Sequence, residues 1–182
     1  MKVISGKLKG RVIKGFDIDG TRPTMDRVKE SIFSMIQNYI KNSIALDLFA
    51  GSGNLGIEAI SNGAKQCYFN DLNKTCVKRI KENLEKFNIS EASIVTNMEY
   101  NKCLKYLKEL DVKLDLVFLD PPYKLEVLNE IIELLLQYDI LNNNCLIICE
   151  VGRDYLNPHD KLLELKNKKY GDKTVIIYKH KK

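Results

Sequence analysis

Residues 44–56 read Ile44-Ala45-Leu46-Asp47-Leu48-Phe49-Ala50-Gly51-Ser52-Gly53-Asn54-Leu55-Gly56. A compact apolar run passes directly into glycines at 51, 53 and 56. That is the G-x-G-x-x-G spacing of a strand turning tightly into a helix, with backbone close enough to touch a ligand at the helix N-terminus. An acid follows at Asp71, twenty residues after Gly51 and at the end of a second apolar run, 66–70. There it can hold ribose hydroxyls, or else cap the helix that starts after Asn73. A nicotinamide dinucleotide fits these facts, and the glycine pattern alone does not choose.

Asp47 helps choose. A carboxylate just before the glycine loop is electrostatically poor for a pyrophosphate and suits a ligand bearing an ammonium group. S-adenosylmethionine has an ammonium and a sulfonium and no phosphate. Opposite charges within a few ångströms in a partly buried cleft are worth on the order of kcal/mol. The alternative role for Asp47 is to cap loop amides at the strand end.

Outward from this stretch the chain alternates strand-like and helix-like segments. Apolar runs at 44–49, 66–70, 92–95, 114–119 and 145–150 read as strands. Between them lie a helix through about residue 62, one with Val77, Ile80, Leu84 and Phe87 on a face, one with Cys103, Leu104, Leu107 and Leu110, and one over 125–137. Mostly apolar strands in β-α units imply a parallel, doubly wound α/β sheet covered on both sides. The rhythm then breaks: 162–168 and 174–179, joined around Tyr170-Gly171-Asp172, read as a closing antiparallel hairpin. At the other end, glycines at 6, 10, 15 and 20 between short apolar pieces, among them Phe16, predict a small β-hairpin arm over 1–21. Residues 22–182 form the core of the same single domain, beginning with a helix capped by Thr24 whose face carries Val28, Ile32, Met35 and Tyr39.

A second motif, Asp120-Pro121-Pro122-Tyr123, follows the run Leu114-Asp115-Leu116-Val117-Phe118-Leu119. Its parts suit the gripping of a planar amine. A strand-end carboxylate accepts from an NH2 group, two prolines stiffen the turn and leave only carbonyl acceptors, and a tyrosine offers a face for stacking. The bland alternative is a rigid strand-to-helix turn, but ligands of such sheets bind beyond the carboxyl ends of the strands.

The whole chain agrees with an ordinary globular protein. Its 182 residues are 45% hydrophobic and 29% charged, with no apolar run of membrane-spanning length and no apolar N-terminal leader. A cytoplasmic protein without membrane contact is expected. Five cysteines without a C-x-x-C pair point away from zinc or a disulfide framework, and His159 and His180 read as isolated surface residues. The net charge of +5 is unevenly spread. Residues 1–41 hold nine Lys/Arg against four Asp/Glu, residues 161–182 eight against two, and the middle twelve against eighteen. Two basic ends around an acidic body point to a polyanionic partner, with a solvated lysine tail as the alternative for His180-Lys181-Lys182.

With both motifs in view, the chain resembles class I S-adenosylmethionine-dependent methyltransferases acting on exocyclic amines. More narrowly it is similar to the RsmD-type bacterial family that methylates guanine N2 in 16S ribosomal RNA. The resemblance runs through Ile4-Ser5-Gly6-Lys7-Leu8-Lys9-Gly10, Arg22-Pro23-Thr24, Arg27-Val28-Lys29-Glu30, 47–53, Glu58-Ala59-Ile60, Gly63-Ala64, 118–123 and Tyr170-Gly171-Asp172. It implies a Rossmann-like sheet of seven strands with the last antiparallel, and S-adenosylmethionine as cofactor. The implied cofactor contacts are Asp47, Phe49, Gly51, Ser52, Gly53, Asp71, Leu72, Asn97, Met98 and Asp120, and the implied catalytic residues Asp120, Pro121, Pro122 and Tyr123. Lys7, Lys9, Arg11, Arg22, Thr24 and Arg27 are the implied RNA contacts. The partner is 16S ribosomal RNA or a small-subunit assembly intermediate, met by a monomer. One departure stands out. Many relatives carry an acid after the third strand, where this chain has Thr96-Asn97-Met98-Glu99; Asn97 can still offer its side-chain oxygen to the adenine amine. The rival readings are an adenine-N6 DNA methyltransferase, a non-catalytic RNA-binding assembly factor, a glutamine-N5 protein methyltransferase and a dehydrogenase.

Overall fold

The computed structural model describes residues 1–15, 23–122, 127–152 and 156–181, the side chains of 23–25 excepted. Phe16, Arg22, Tyr123 and the expected helix start at 125–126 lie outside the described residues, as does the side chain of Thr24.

Seven strands form one sheet: β1 Ile44–Asp47, β2 Gln66–Asn70, β3 Ser93–Thr96, β4 Leu114–Leu119, β5 Leu141–Val151, β6 Leu162–Tyr170 and β7 Lys173–His180. Their order is β3-β2-β1-β4-β5-β7-β6. The first five run parallel, and β7 lies antiparallel between β5 and β6. The expected doubly wound sheet and closing hairpin are both present. Helices α1 Pro23–Ile36, α2 Asn54–Ser61, α3 Lys74–Phe87, α4 Tyr100–Glu109 and α5 Leu128–Gln137 cover it.

Strand alternation divides the core in two. Ala45, Leu116, Phe118, Leu146 and Ile148 pack with α1, α2 and α3, and the Phe33 and Phe118 rings stack at 5.7 Å. Leu46, Val117, Leu119, Ile147 and Cys149 pack with α4 and α5. No helix among the described residues is long and apolar enough to cross a membrane.

Several expectations need correction. Among the described residues of the N-terminal arm, 1–15, the hairpin is one isolated bridge, Lys2 with Val12, around a 3-10 turn at Gly6–Leu8. The segment is docked, with Val3, Leu8 and Ile13 buried in the first core. A Cβ at Gly6 would lie 2.0 Å from the Ser61 carbonyl oxygen, so glycine permits this approach to α2. Helix α1 is described from Pro23, which puts Thr24 inside its first turn instead of ahead of it as a cap. It ends at Ile36, and the 3-10 turn that follows rotates Tyr39 outward while Ile36 and Ile40 take the core positions. Leu110 follows the end of α4 and is exposed. β5 starts four residues early because Leu141 already pairs with Leu114. His180 is buried, since β7 continues between β5 and β6, and its Nδ1 lies 3.0 Å from the Asn142 carbonyl oxygen.

A buried ion pair fastens α1, α2 and the N-terminal segment together. Lys29 Nζ lies 2.9 Å from Glu58 Oε2, with side-chain exposures of 1% and 0%. Lys29 also donates to the Lys2 carbonyl at 2.8 Å and to Asn54 Oδ1 at 2.7 Å. Glu58 accepts from the amides of Ile4 and Ser5 and from the Ser5 hydroxyl. Burial pulls the Lys29 ammonium's pKa down, and Glu58 offsets part of that. Glu58→Gln leaves this ammonium without its counter-charge and should cost about 3–5 kcal/mol. The urea unfolding midpoint measures the loss, and adding Lys29→Met to the same chain should recover part of it.

Candidate active site

The convergent side chains gather at the carboxyl ends of β1, β2, β4 and β5. After Asp47 the chain leaves β1, and Ala50 donates its amide to the Asn70 carbonyl at 2.9 Å. Gly51 and Gly53 have φ of 56° and 83°, which side chains rarely adopt, and Gly53 directly precedes α2. Gly56 serves packing: a Cβ there would lie 2.3 Å from Phe69 Cε1 and 2.7 Å from Cys67 Sγ. Over Gly51 a Cβ would meet nothing within 4 Å, so that face of the loop is open to a ligand.

Asp47 is 2% exposed, and its Oδ2 accepts from the Gly56 amide at 2.9 Å. The capping role is therefore present. Burial pushes its acid up to about 7; the Gly56 bond opposes this and the charge of Asp71 adds to it. Asp71 is not the helix cap, because Asn73 does that by accepting from the Thr75 amide. Instead Asp71 accepts from the Gly51 amide through Oδ2 and from the Asn73 amide through Oδ1, both at 2.8 Å. It ties the glycine loop to the end of β2.

Around the Asp71 turn, Leu72 is 66% exposed. Asn97 donates its side-chain amide to the Asp71 and Leu72 carbonyls at 2.8 Å each, leaving its oxygen as the polar atom for an adenine amine. Met98 is half-buried on the second core, and Phe49 is tilted against Tyr100 at 6.2 Å. Ser52 is buried and its carbonyl accepts from Asn83.

Asp120 follows β4, half-buried, with Pro121 buried and Pro122 exposed after it. Leu119 pairs with Cys149 in parallel register, so the next residues, Asp120 and Glu150, stand side by side. Their side chains are hydrogen-bonded, and Lys173 forms an ion pair with Glu150. Burial first, then the Glu150 charge, pushes the Asp120 acid up to about 8; Lys173 opposes the shift, while the bond to Glu150 and the charge of Asp47 add to it. A cavity of about 750 Å³ on the β5–β7–β6 side touches this region at Val151 and Gly152, but it contains no glycine-loop residue.

The proposed RNA contacts are not all brought to the loop. Lys7 and Lys9 are exposed on the turn that docks at Ser61, the end of α2 away from the glycines. Arg11 donates to the Lys86 and Phe87 carbonyls and covers the Phe87 ring at 4.5 Å. Arg27 is exposed on α1. Lys14 is linked to the loop through Asn83, which holds its backbone and also bonds Ser52, while its ammonium lies 3.4 Å from Glu82. Sequence reasoning missed Lys29, Glu58, Asn83, Glu150 and Lys173. The one available signal was Lys29, which shares its helix face with Met25, Ile32 and Phe33.

These residues fit an adenosine cofactor with an ammonium group. Residues 47–56 contain no Lys or Arg, so a pyrophosphate would face Asp47 and Asp71 uncompensated. A carboxylate whose ionisation is suppressed by burial gains most from a cation.

The family described as Conserved hypothetical protein 95 matches residues 1–179. The chain is 38% identical to a Bacillus subtilis protein named putative rRNA methyltransferase YlbH, over 98% of each chain. It is 37% identical to ribosomal RNA small subunit methyltransferase D of Haemophilus influenzae, over 99% of this chain and 94% of that one. Among solved structures, a putative methyltransferase from Escherichia coli matches with a TM-score of 0.87 at 26% identity, covering 100% of this chain and 98% of that one. A putative methylase from Haemophilus influenzae matches at 0.82 and 34%, with the same coverage.

Two stability measurements follow from the loop. Gly56→Ala should cost about 1–3 kcal/mol by overpacking against β2, and Gly51→Ala about 1–2 kcal/mol from its left-handed backbone alone. The raised acid of Asp47 also makes folding depend on pH. Its contribution is fully present below about pH 4, the ordinary carboxylate range, and is lost as pH rises through about 7. Denaturant titrations across that window should show stability falling with pH, and Asp47→Asn should flatten the slope.

Proposed function

The chain belongs to the RsmD-type family of ribosomal RNA methyltransferases, matched as Conserved hypothetical protein 95, and we propose that it methylates the exocyclic N2 amine of a guanine in 16S ribosomal RNA. The observation that carries this reading is the position of Asp120 beside the glycine loop. β1 and β4 are neighbours, with Asp47 paired to Phe118, so Asp120 emerges two residues beyond that pair.

When bound, S-adenosylmethionine supplies an electrophilic methyl group carried on a sulfonium. The protein's residues do the rest by orientation and charge. Asp47 offers a buried carboxylate to the ammonium, and Asp71, joined to Gly51, offers its oxygens to ribose hydroxyls. An arylamine lone pair is conjugated into its ring and poorly nucleophilic. Asp120 and the Pro121 carbonyl accept from the two N–H groups, which draws the lone pair out of conjugation with the ring. Holding both reactants in such geometry is worth up to about 7–11 kcal/mol. Buried Pro121 fixes the turn. Tyr123 in this reading stacks on the base, a contact worth about 1–3 kcal/mol in comparable systems. The basic side chains of the N-terminal segment, Lys7, Lys9 and Lys14, supply phosphate contacts.

Asp120→Ala should lower methyl transfer to immature small subunits by about 10²–10⁴-fold, with a much smaller loss of cofactor affinity by calorimetry. Mass spectrometry of 16S RNA from cells lacking the protein should show one methylguanine lost. Label appearing on naked DNA adenine instead would overturn the guanine assignment.

A further inference from the structure

Glu150 and Lys173 have no part in the reaction as described, although they stand against its central carboxylate. Asp120 and Glu150 leave adjacent parallel strands at the same level, their side chains hydrogen-bonded. Two carboxyl groups in hydrogen-bond contact cannot both ionise cheaply; one proton between them resolves the repulsion. Lys173, the first residue of β7, reaches the far side of Glu150 and forms an ion pair with it. Its ammonium lowers the cost of ionising Asp120. The remaining charge on Asp120 comes from Asp47 at the end of β1. Glu150 is itself mostly buried, with 13% of its side chain exposed against 27% for Lys173. The antiparallel β7 therefore brings a cation from the opposite strand direction to a cluster of three acids on parallel strands.

We infer that Glu150 and Lys173 are positioning residues which, with Asp120, form a proton-holding relay for the target amine. This rests on the methyl-transfer reading above. For Asp120 to accept from the amine it must be ionised, so the shared proton has left to solvent before transfer, and Lys173 balances the charge at Glu150. During transfer the amine nitrogen gains a bond to the methyl carbon, and the bond from that carbon to sulfur breaks with its electron pair staying on sulfur. One N–H proton passes to an Asp120 oxygen, and its bonding pair remains on nitrogen. Glu150 takes that proton from Asp120 and Lys173 stabilises the carboxylate that returns when it is released to water.

The test uses the full chain with 13C-labelled aspartate carboxyls, assigned by comparison with Asp120→Asn, and pH–rate profiles on immature small subunits. In Glu150→Gln the like charge is gone, so Asp120 should titrate about one pH unit or more lower, and the rising limb of the rate should move with it. In Lys173→Met the counter-charge is gone, so both should move about as far upward, a loss near tenfold at neutral pH. Lys173→Arg should restore the original limb, an outcome that a purely structural lysine does not predict. Circular dichroism establishes that each variant is folded. Identical Asp120 titrations in all forms, or titrations that move while the rate limbs coincide, would overturn the relay. Absence of methyl transfer by the unaltered protein, with the titrations still moving, overturns the function and removes the relay with it, while leaving the coupling of the pair established.

Discussion

The buried pair of Lys29 and Glu58 is the constraint on which the site's geometry depends. Each ion alone would be costly to bury, so each is surrounded by partners, and those partners come from three parts of the chain. Lys29 reaches from α1 to the Lys2 carbonyl and the Asn54 side chain. Glu58 reaches from α2 to the Ile4 and Ser5 amides. Asn54 is the first residue of α2, directly after the last turn glycine. The cation that stabilises the core therefore also holds the start of the helix on which the ligand loop sits. At the loop's other side, Asn83 joins the Lys14 backbone to the Ser52 carbonyl. The N-terminal segment is thus part of the loop's foundation.

The crevice itself is organised around excess negative charge. Asp47, Asp71, Asp120 and Glu150 stand at the ends of four neighbouring strands, and Lys173 is the cation paired among them. Asp71 is satisfied by two backbone amides, whereas Asp47 and Asp120 carry raised acids. A cationic ligand completes such a site, and a neutral amine can be held in it by acceptors alone. A phosphate has no counterpart there. Exposed lysines such as Lys7 and Lys9 lie outside that crevice.

Much of this was legible in the chain. Apolar runs bounded by turn residues marked the five parallel strands, because parallel strands buried on both faces need near-continuous hydrophobic sequence. The glycine spacing located the loop, since glycine most readily adopts the φ of Gly51 and Gly53 and alone leaves room for the approach of Phe69 to Gly56. Long-range polar contacts were not legible. Glu150 and Lys173 are separated by a hairpin, and only the β5–β7 register brings them together. The docking of the first fifteen residues depends on Glu58, which looks like any helix-surface acid until its burial is known. His180 read as part of a charged tail because local composition does not reveal that a strand continues between two neighbours.

The sheet also has an open side. β6 forms one edge with nine residues, and its side chains from Leu163 to Lys169 are exposed. An edge of that length is a template for a second chain, and Leu163 and Leu165 would add apolar contact to such pairing. Two copies meeting along this strand, however, bring together segments that each carry Lys166, Lys168 and Lys169 against the single acid Glu164, and the register shift between Glu164 and Lys166 breaks the regular ladder. The edge is thus guarded by repulsion whose range is only about 8 Å at physiological ionic strength. Protection of that kind weakens as salt rises, which makes β6 the strand where self-association of the folded protein would begin in concentrated salt.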